Sequence, residues 1–217
     1  MCYNKDISLY TYLLGLSAGY LLLQKTNKDL NLLGCFFIFV IHMQLIEYFL
    51  WTNNTCNLRN ITLSQIGTLV NFIQPIVLYF AIMYYNKELY LKNKQILDGI
   101  IIIYGLGLII YSINLFPIGC TNVTKASSPY LEWSWFNKKN SVVIALLFPI
   151  AFAILLYYGL NSSYNLYLSF VCLISFLASY IIYNKQRAFG SLWCWFAVFI
   201  PIGLLLIDTV DNLIYKK

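Results

Sequence analysis

Residues 40 to 52, VIHMQLIEYFLWT, are the stretch that decides how this chain folds. The stretch continues an apolar run that begins earlier in the chain, and the whole run is long enough for a membrane-spanning helix. His42, Gln44 and Glu47 nevertheless stand inside it. A carboxyl group is costly inside a spanning helix and therefore points to function by default. This stretch predicts both the environment of the chain and its first candidate site.

The composition of the whole chain indicates a polytopic membrane protein. The 217 residues include 60% hydrophobic and 10% charged side chains, and the mean hydropathy is +0.71. Ordinary soluble domains carry roughly 25% charged residues. The net charge of +6 comes from basic residues between the apolar segments, as expected for loops near lipid headgroups rather than for a nucleic-acid interface. We therefore predict the lipid bilayer as a partner and no nucleic acid.

Seven windows of about 20 apolar residues predict seven transmembrane helices, because a helix of that length crosses a hydrocarbon core of about 30 Å. The windows are too long and too continuous for the strands of a membrane barrel. Their links leave no room for a soluble module, so residues 1 to 217 are predicted to form one domain, an all-α seven-helix bundle. The predicted spans are residues 8 to 24, 31 to 52, 62 to 85, 97 to 115, 141 to 160, 163 to 183 and 188 to 214.

An odd number of spans places the two chain ends on opposite sides of the membrane. The side that carries the N-terminus is called side B, and the side that carries the C-terminus is called side A. The 14 basic residues divide evenly between them, so the positive-inside rule does not decide the orientation. Glycosylation-type triplets begin on side B at Asn53, Asn60 and Asn122, although an Asn-rich chain generates such triplets by chance and one also begins at Asn161 on side A.

Cys56 and Cys120 both fall on side B. A disulfide between them would join the link after the second span to the long link after the fourth, as an oxidising exterior or lumen permits. The triplets and the cysteines together predict an outside or lumenal N-terminus for this integral membrane protein.

All five tryptophans lie on or near side B. An interfacial aromatic belt is one explanation. The other is an aromatic-walled pocket that opens to side B, with residues 130 to 136 as its lid. Helical rise places two of the five about 8 to 11 Å below the predicted start of the seventh span, deeper than a belt requires. The five are Trp51, Trp133, Trp135 and, in the seventh span, Trp193 and Trp195.

Glu47 lies about 6 Å inside the apolar zone and shares one helical stripe with Gln44 and Trp51. His42 lies about 140° away around the helix, so it is a possible rather than a central member of the site. The predicted spans contain no Lys or Arg. Glu47 must therefore be protonated, reach a cation at the rim such as Arg59, or await a cationic ligand or a proton. A paired Glu47 would be a structural clamp instead.

The third predicted span adds Asn71 and Gln74, three residues apart on one helix face, followed by Pro75. With a single His, the chain lacks the clusters that intramembrane zinc enzymes need, and no phosphate loop or nucleophile elbow is present. We therefore predict no metal, no cofactor and no catalytic residue, and whether the protein is an enzyme stays undecided.

Three motifs, HMQLIEYFLW (residues 42 to 51), NFIQP (71 to 75) and GSLWCW (190 to 195), together resemble uncharacterised seven-span membrane proteins of large DNA viruses and some protists. The resemblance implies a host-cell, organellar or virion membrane, and it implies no substrate. It groups the following residues into one site: Glu47, Asn71, Gln74, Pro75, Trp193 and Trp195.

Two further resemblances concern the whole topology. FIQPIVLYF (72 to 80) and FIPIGLLL (199 to 206) each place Pro about 13 residues into a predicted helix, which resembles the three-plus-one-plus-three repeat of SWEET-type sugar transporters. The order Gln74-Pro75 is reversed relative to that family. The seven spans with a side-B disulfide also resemble G-protein-coupled receptors, although Met83-Tyr84-Tyr85-Asn86 stands where their Asp-Arg-Tyr motif would be.

The sequence as a whole favours a transporter-like protein that binds a small polar or cationic solute, with Glu47 as a candidate for proton coupling. The alternatives are a heptahelical receptor-like binding protein and a viral or organellar membrane scaffold. The oligomeric state is left open. The residues predicted to bind the solute or proton are Glu47, Gln44, Asn71, Gln74, Trp51, Trp193 and Trp195, with His42, Trp133 and Trp135 as possible additions.

Overall fold

Seven α-helices make up most of the part of the chain that the structure, a computed structural model, describes. The described residues are 4–115, 118–124, 129–137, 141–183 and 189–215. The helices are α1 (Lys5–Leu23), α2 (Lys28–Thr52), α3 (Leu58–Tyr85), α4 (Lys87–Leu115), α5 (Ser141–Gly159), α6 (Ser162–Tyr183) and α7 (Phe189–Tyr215). Each predicted span falls on one of them, and the prediction of an all-α fold is confirmed.

Five of the helices are long and apolar enough to cross a membrane: α1, α2, α3, α6 over Tyr164–Ile181 and α4 over Lys87–Ile113. The described parts of α5 and α7 contain shorter apolar helices, Val143–Gly159 and Ala197–Val210. These helices are compatible with a membrane protein. Five spans therefore follow directly from helix length and composition, and a count of seven does not.

Helices α1 and α2 pack closely because glycines face each other across their interface. A Cβ added to Gly34 would lie 2.8 Å from the carbonyl oxygen of Gly19 and 2.9 Å from the backbone nitrogen of Leu23. A Cβ added to Gly15 would lie 2.6 Å from the Ile41 side chain. Small residues at such contacts let helix backbones approach one another, which is the usual way helices associate in membranes.

Helix α3 begins at Leu58, because the side chain of Asn57 accepts a hydrogen bond from the Asn60 backbone and caps the helix. Pro75 therefore lies 17 residues beyond the first residue of α3, whereas Pro201 lies 12 residues beyond the first residue of α7. Residues 184–188, directly before α7, lie outside the described residues, so the equal proline positions and the internal repeat stay predictions.

Contacts between the links show that the helices alternate in direction. At one end, Asp29 of α2 binds Asn86 and Asn161, which belong to the α3–α4 and α5–α6 links. At the other end, Cys56 and Cys120 join the α2–α3 and α4–α5 links. These two ends carry the links that the sequence assigns to side A and side B, and the names are kept for the two ends of the bundle.

Helix α2 occupies the centre of the bundle, where it packs against α1, α3 and α7, while α5 packs against α3, α4 and α6. On side B, the described residues 118–124 and 129–135 form a cap, in which a short strand β1 (Asn122–Val123) pairs antiparallel with β2 (Leu131–Glu132). The cap and the side-B half of α2 and α3 are the parts that frame the candidate site.

Candidate functional site

Gln44 is fully buried and is held from helix α1. Its side-chain oxygen position lies 3.0 Å from Oγ1 of Thr11, and that hydroxyl also lies 2.8 Å from the Ile7 carbonyl oxygen. A hydroxyl has a single proton, which the nearer carbonyl accepts. The contact with Gln44 is satisfied when the amide is turned so that its NH2 group donates to Thr11, an orientation that hydrogen-bond chemistry rather than atomic position decides. Gln44 thus joins α2 to α1.

Glu47 is also fully buried, one helical turn from Gln44 toward side B. Its neighbour Ile46 lies in the groove between α2 and α3, since a Cβ on Gly67 of α3 would lie 3.2 Å from the Ile46 side chain. The prediction that a carboxyl group is enclosed within this apolar helix therefore agrees with the structure.

His42 lies apart from this carboxyl group. Its Nδ1 is 2.8 Å from the Ile38 carbonyl oxygen one turn earlier in α2, and its ring packs edge-on against Tyr12 of α1 at a centroid distance of 5.7 Å. The side chain is half-buried. His42 is therefore packed against α1 and hydrogen-bonded within α2.

Gln74 is a buried polar side chain of α3 whose amide group makes no hydrogen bond among the described residues. It is 0% exposed, and neither its Nε2 nor its Oε1 has a hydrogen-bond partner among the described residues. Asn71, one turn earlier, is 7% exposed. A buried amide can make up to four hydrogen bonds, and leaving a buried donor or acceptor unpaired costs roughly 1–3 kcal/mol. Gln74 therefore carries unused capacity both to donate and to accept.

The polar side chains are spread along the bundle axis rather than gathered at one point. Helices α2 and α3 run antiparallel, with Ile46 beside Gly67. From that contact, a rise of 1.5 Å per residue places Glu47 nearest side B and Gln74 about 12 Å farther toward side A, with Gln44 and Asn71 between them. The four residues form a polar ladder of roughly that length inside the side-B half and the middle of the bundle.

The cap covers the side-B end of this ladder. Trp133 and Trp135 are 2% and 6% exposed. A Cβ on Gly67 would lie 2.7 Å from the Trp133 ring, so only glycine leaves room for the ring against α3. The hydroxyl of Tyr111 in α4 donates to the Trp135 carbonyl oxygen at 2.6 Å. The expected pocket opening on side B is thus closed over by the segment predicted to be its lid.

A second set of contacts fastens the cap to the start of α3. The Nδ2 of buried Asn60 donates to the carbonyl oxygens of Asn53 and Thr121 at 2.9 and 3.0 Å, and Asn60 Oδ1 accepts from the Thr121 backbone at 3.0 Å. Cys56 and Cys120 form the predicted disulfide, with their Cα atoms 5.5 Å apart. Because Asn60 is fully buried, its triplet is a packing feature and not a glycosylation signal. Asn122 is exposed.

The predicted tryptophans of the site divide into three groups. Trp51 is half-buried, and its Nε1 is buried with no hydrogen-bond partner among the described residues. Trp133 and Trp135 belong to the cap. The side chains of Trp193 and Trp195 lie outside the described residues, so their predicted role stays a prediction.

Two cavities lie outside the polar ladder. One lies among α2, α5, α6 and α7, and the other lies between α3 and α4. The side chains that line them do not include Gln44, Glu47 or Gln74. Among the described residues, the ladder is therefore enclosed in packed helices rather than displayed in either cavity.

Sequence reasoning missed a buried carboxyl group on side A. Asp29, which is 1% exposed, accepts from Asn86 Nδ2 at 2.6 Å, from the Asn161 backbone at 3.0 Å and from Asn161 Nδ2 at 3.2 Å. Asn86 also donates to the Gly159 carbonyl oxygen at 2.9 Å. Asp29 thus joins the start of α2 to two links of the bundle. The only sequence signal was a pair of isolated Asn residues in the facing links, which gave no pairing.

A further carboxyl group, Asp98 of α4, accepts from two tyrosines. Tyr79 donates to Asp98 Oδ1 at 2.6 Å, and Tyr90 donates to the same oxygen at 3.1 Å. Asn93 stands at a kink of α4, with φ of −109° and ψ of 16°, and its side chain donates to the Tyr158 carbonyl oxygen at 2.9 Å. These contacts fix the side-A start of α4 against α3 and α5 and explain its bend.

No group of three or more His, Cys, Asp or Glu side chains that could hold a metal ion occurs among the described residues. Comparison with protein-family models, curated proteins and solved structures gives no match for this chain. The resemblance to seven-span viral and protist proteins therefore stays a prediction, and the argument for function rests on the polar ladder.

Proposed function

We propose that this chain is a seven-span membrane protein that binds a small polar or cationic solute along the polar ladder of Glu47, Gln44, Asn71 and Gln74. Gln74 is the observation that carries the proposal. Its amide is fully buried and has no hydrogen-bond partner among the described residues. Unpaired polar groups in a protein interior are rare and call for an explanation. A bound solute that accepts from Nε2 and donates to Oε1 supplies both missing bonds.

The seven spans are supported by the alternation of the links. Asp29, Asn86 and Asn161 bring two links and the start of α2 together on side A, and the Cys56–Cys120 disulfide joins two links on side B. Each of the seven helices then crosses from one side to the other. A disulfide persists in an oxidising compartment, so side B and the N-terminus face the exterior or a lumen.

Glu47 is the ionisable group of the proposed site. A carboxyl group inside a membrane marks a path for ions or protons by default. In this proposal Glu47 takes up a proton or pairs with a cationic solute that enters from side B, and the solute then moves along Gln44 and Asn71 to Gln74, about 12 Å farther toward side A. Movement of the cap and its Trp133 ring then opens the ladder.

The closed cap favours a second candidate function, that of a receptor-like protein that binds its ligand without moving it across the membrane. Trp133 is wedged against Gly67, and the disulfide fastens the cap to the start of α3. Binding and transport differ in one observable: only transport carries the solute, and any coupled proton, from one side to the other.

Thermal unfolding of the purified protein with named probes tests binding. The probes are methylammonium, choline, guanidinium, glycine and glucose, each added to the wild type, Glu47→Gln and Gln74→Met. A ligand that binds only the folded state raises its stability by mass action. At least one probe should raise the melting temperature of the wild type and fail to raise that of Gln74→Met. Equal shifts in the wild type and Gln74→Met would contradict the proposal, as would no shift with any probe.

Proteoliposomes that enclose a pH-sensitive dye separate the two candidate functions. For a probe that binds, transport predicts uptake of the radiolabelled probe by wild-type vesicles, with a pH change that Glu47→Gln abolishes. Binding without uptake would support the receptor-like alternative and contradict transport. Uptake that persists unchanged in Glu47→Gln would remove this carboxyl group from the mechanism.

A further inference from the structure

The cavity among α2, α5, α6 and α7 has a volume of about 270 Å³. Its lining is almost entirely apolar, with Phe36, Phe37, Phe152, Leu168 and Leu204 among its members. A dry apolar cavity of about 150 Å³ is already large enough to hold a benzene-sized guest.

The polar groups of the cavity wall do not require a polar ligand. The hydroxyl of Ser175 donates to the Cys172 carbonyl oxygen at 3.1 Å, within its own helix. The thiol of buried Cys172 behaves as a small hydrophobic group. Tyr167 lines the space but is mostly exposed. The wall therefore fits a hydrocarbon chain.

The cavity lies in the half of the bundle toward side A. On α2 it extends from Leu33 to Val40, which begins about 7 Å beyond the first residue of the helix and spans about 10 Å. On α7 it extends from Ile207 to Ala197, about 15 Å. One leaflet supplies about half of a 30 Å hydrocarbon core, so the cavity matches the depth of a single leaflet.

The cavity is partly open, and the exposed residues of its lining carry largely apolar side chains. Tyr167 of α6 is 55% exposed, and Phe199 and Ile207 of α7 are 42% and 39% exposed. In a spanning bundle this surface faces acyl chains rather than water. The side-A rim carries Lys25, whose Nζ lies 2.7 Å from an Asp208 oxygen, and exposed Lys28 at the start of α2.

We propose that this cavity binds one acyl chain of a phospholipid from the side-A leaflet, with the phosphate of the headgroup near Lys28. A phospholipid supplies both parts of the match, because its chain fits the apolar wall and its anionic phosphate fits the exposed Lys28 beside the Lys25–Asp208 ion pair. The inference rests on the membrane placement proposed above and is independent of the solute site, which it does not touch.

Gly203 gives a direct way to fill the cavity. It lines the space, and a Cβ added there meets nothing within 4 Å. Gly105 of α4 has equally open surroundings and lines neither described cavity, so the same substitution there is a matched control. Both Gly203→Leu and Gly105→Leu place a better helix former at a helical position, so both should fold. Val171→Phe narrows the cavity from α6 and provides a second variant.

The test uses phosphatidylcholine that carries a photoreactive diazirine on one acyl chain, in phosphatidylcholine vesicles that contain the full chain. Peptide mass spectrometry should map the adducts of the wild type to the cavity-lining parts of α6 and α7. Labelling there should fall at least about tenfold in Gly203→Leu, because Leu takes the volume of several methylene groups of the chain. It should fall in Val171→Phe too and stay unchanged in Gly105→Leu.

Equal cavity labelling in the wild type, Gly203→Leu and Val171→Phe would overturn the inference. So would labelling of the cavity by a photoreactive free fatty acid and not by the phospholipid. Probe binding that depends on Gln74 reports on the solute site alone, so a failure of either proposal is distinguishable from a failure of the other.

Discussion

At the scale of single residues, two identical tripeptides differ in the burial of their aspartate. Asn4-Lys5-Asp6 and Asn27-Lys28-Asp29 each start a helix, with the Asn side chain as the cap and Asp in the first turn. An acidic residue is favourable there because it interacts with the helix dipole. Asp6 is exposed, whereas Asp29 is buried and accepts three hydrogen bonds from distant links. Local sequence cannot separate the two, which is why Asp29 was missed.

This contrast gives a matched pair of variants. Asp29→Ala should lower the free energy of unfolding by about 2 to 4 kcal/mol, because it leaves buried donors of Asn86 and Asn161 without their acceptor. Asp6→Ala removes the same charge from the same helical position and should cost less than about 1 kcal/mol. Denaturation with SDS in mixed micelles measures both. Equal losses would mean that the side-A contacts contribute nothing beyond the helix dipole.

Glu47 and Gln74 are residues whose burial the sequence did predict. Each lies well inside a long apolar run. A polar side chain there is costly if it faces lipid, so it is expected to face the interior of the bundle. The sequence could not give their spacing along the axis, because that depends on which residues of α2 and α3 face each other. The contact of Ile46 with Gly67 decides it, and neither residue is polar.

At the scale of elements, glycines decide how the helices pack. Gly15 and Gly19 of α1 lie four residues apart and face Gly34 and Ile41 of α2. This is the small-residue spacing of closely packed membrane helices, so the signal was present in the sequence and was not used. The structure shows that the helix these glycines contact is α2. Gly105, in contrast, meets nothing within 4 Å, so spacing or glycine content alone does not identify a contact.

A second prediction belongs to this interface. Gly34→Ala should lower the melting temperature of the purified protein, because the new methyl group meets backbone atoms of Gly19 and Leu23 that cannot move without shifting α1. The expected cost is about 1 to 3 kcal/mol, the usual range for overpacking. Gly105→Ala should be neutral or stabilising, since alanine favours the helix. A Gly34→Ala protein as stable as the Gly105→Ala protein would contradict this packing.

At the scale of the whole molecule, the apolar windows predicted the seven helices, because helix length follows from the solvent. They did not predict the closed cap. Its burial depends on the fit of Trp133 against Gly67 and on the hydrogen bonds of Asn60 with the Thr121 backbone, which lie far apart in sequence. A loop of this length gives no periodic pattern from which such contacts can be inferred.

The Cys56–Cys120 disulfide carries a prediction at this scale. The two cysteines are 64 residues apart, so their cross-link stabilises the fold by at most about 4 kcal/mol through loop closure. The double variant Cys56→Ser with Cys120→Ser should lose part of that stability, whereas Cys35→Ser should leave the disulfide in place. Thiol labelling of intact cells with a membrane-impermeant maleimide, with and without reduction, tests orientation as well. Labelling of Cys56 only after the membrane is opened would place side B in the cytosol.

The measurement that tests the central claim most directly is the stability of Gln74→Met together with its response to the probe that stabilises the wild type. If the amide is kept for a solute, Met should raise the free energy of unfolding by about 1 to 3 kcal/mol, because it removes an unsatisfied buried group, and the response to the probe should vanish. Gln65→Met, the same change at a half-buried position of α3, should alter neither. A Gln74→Met protein that is less stable than the wild type and still responds fully to the probe would contradict the account.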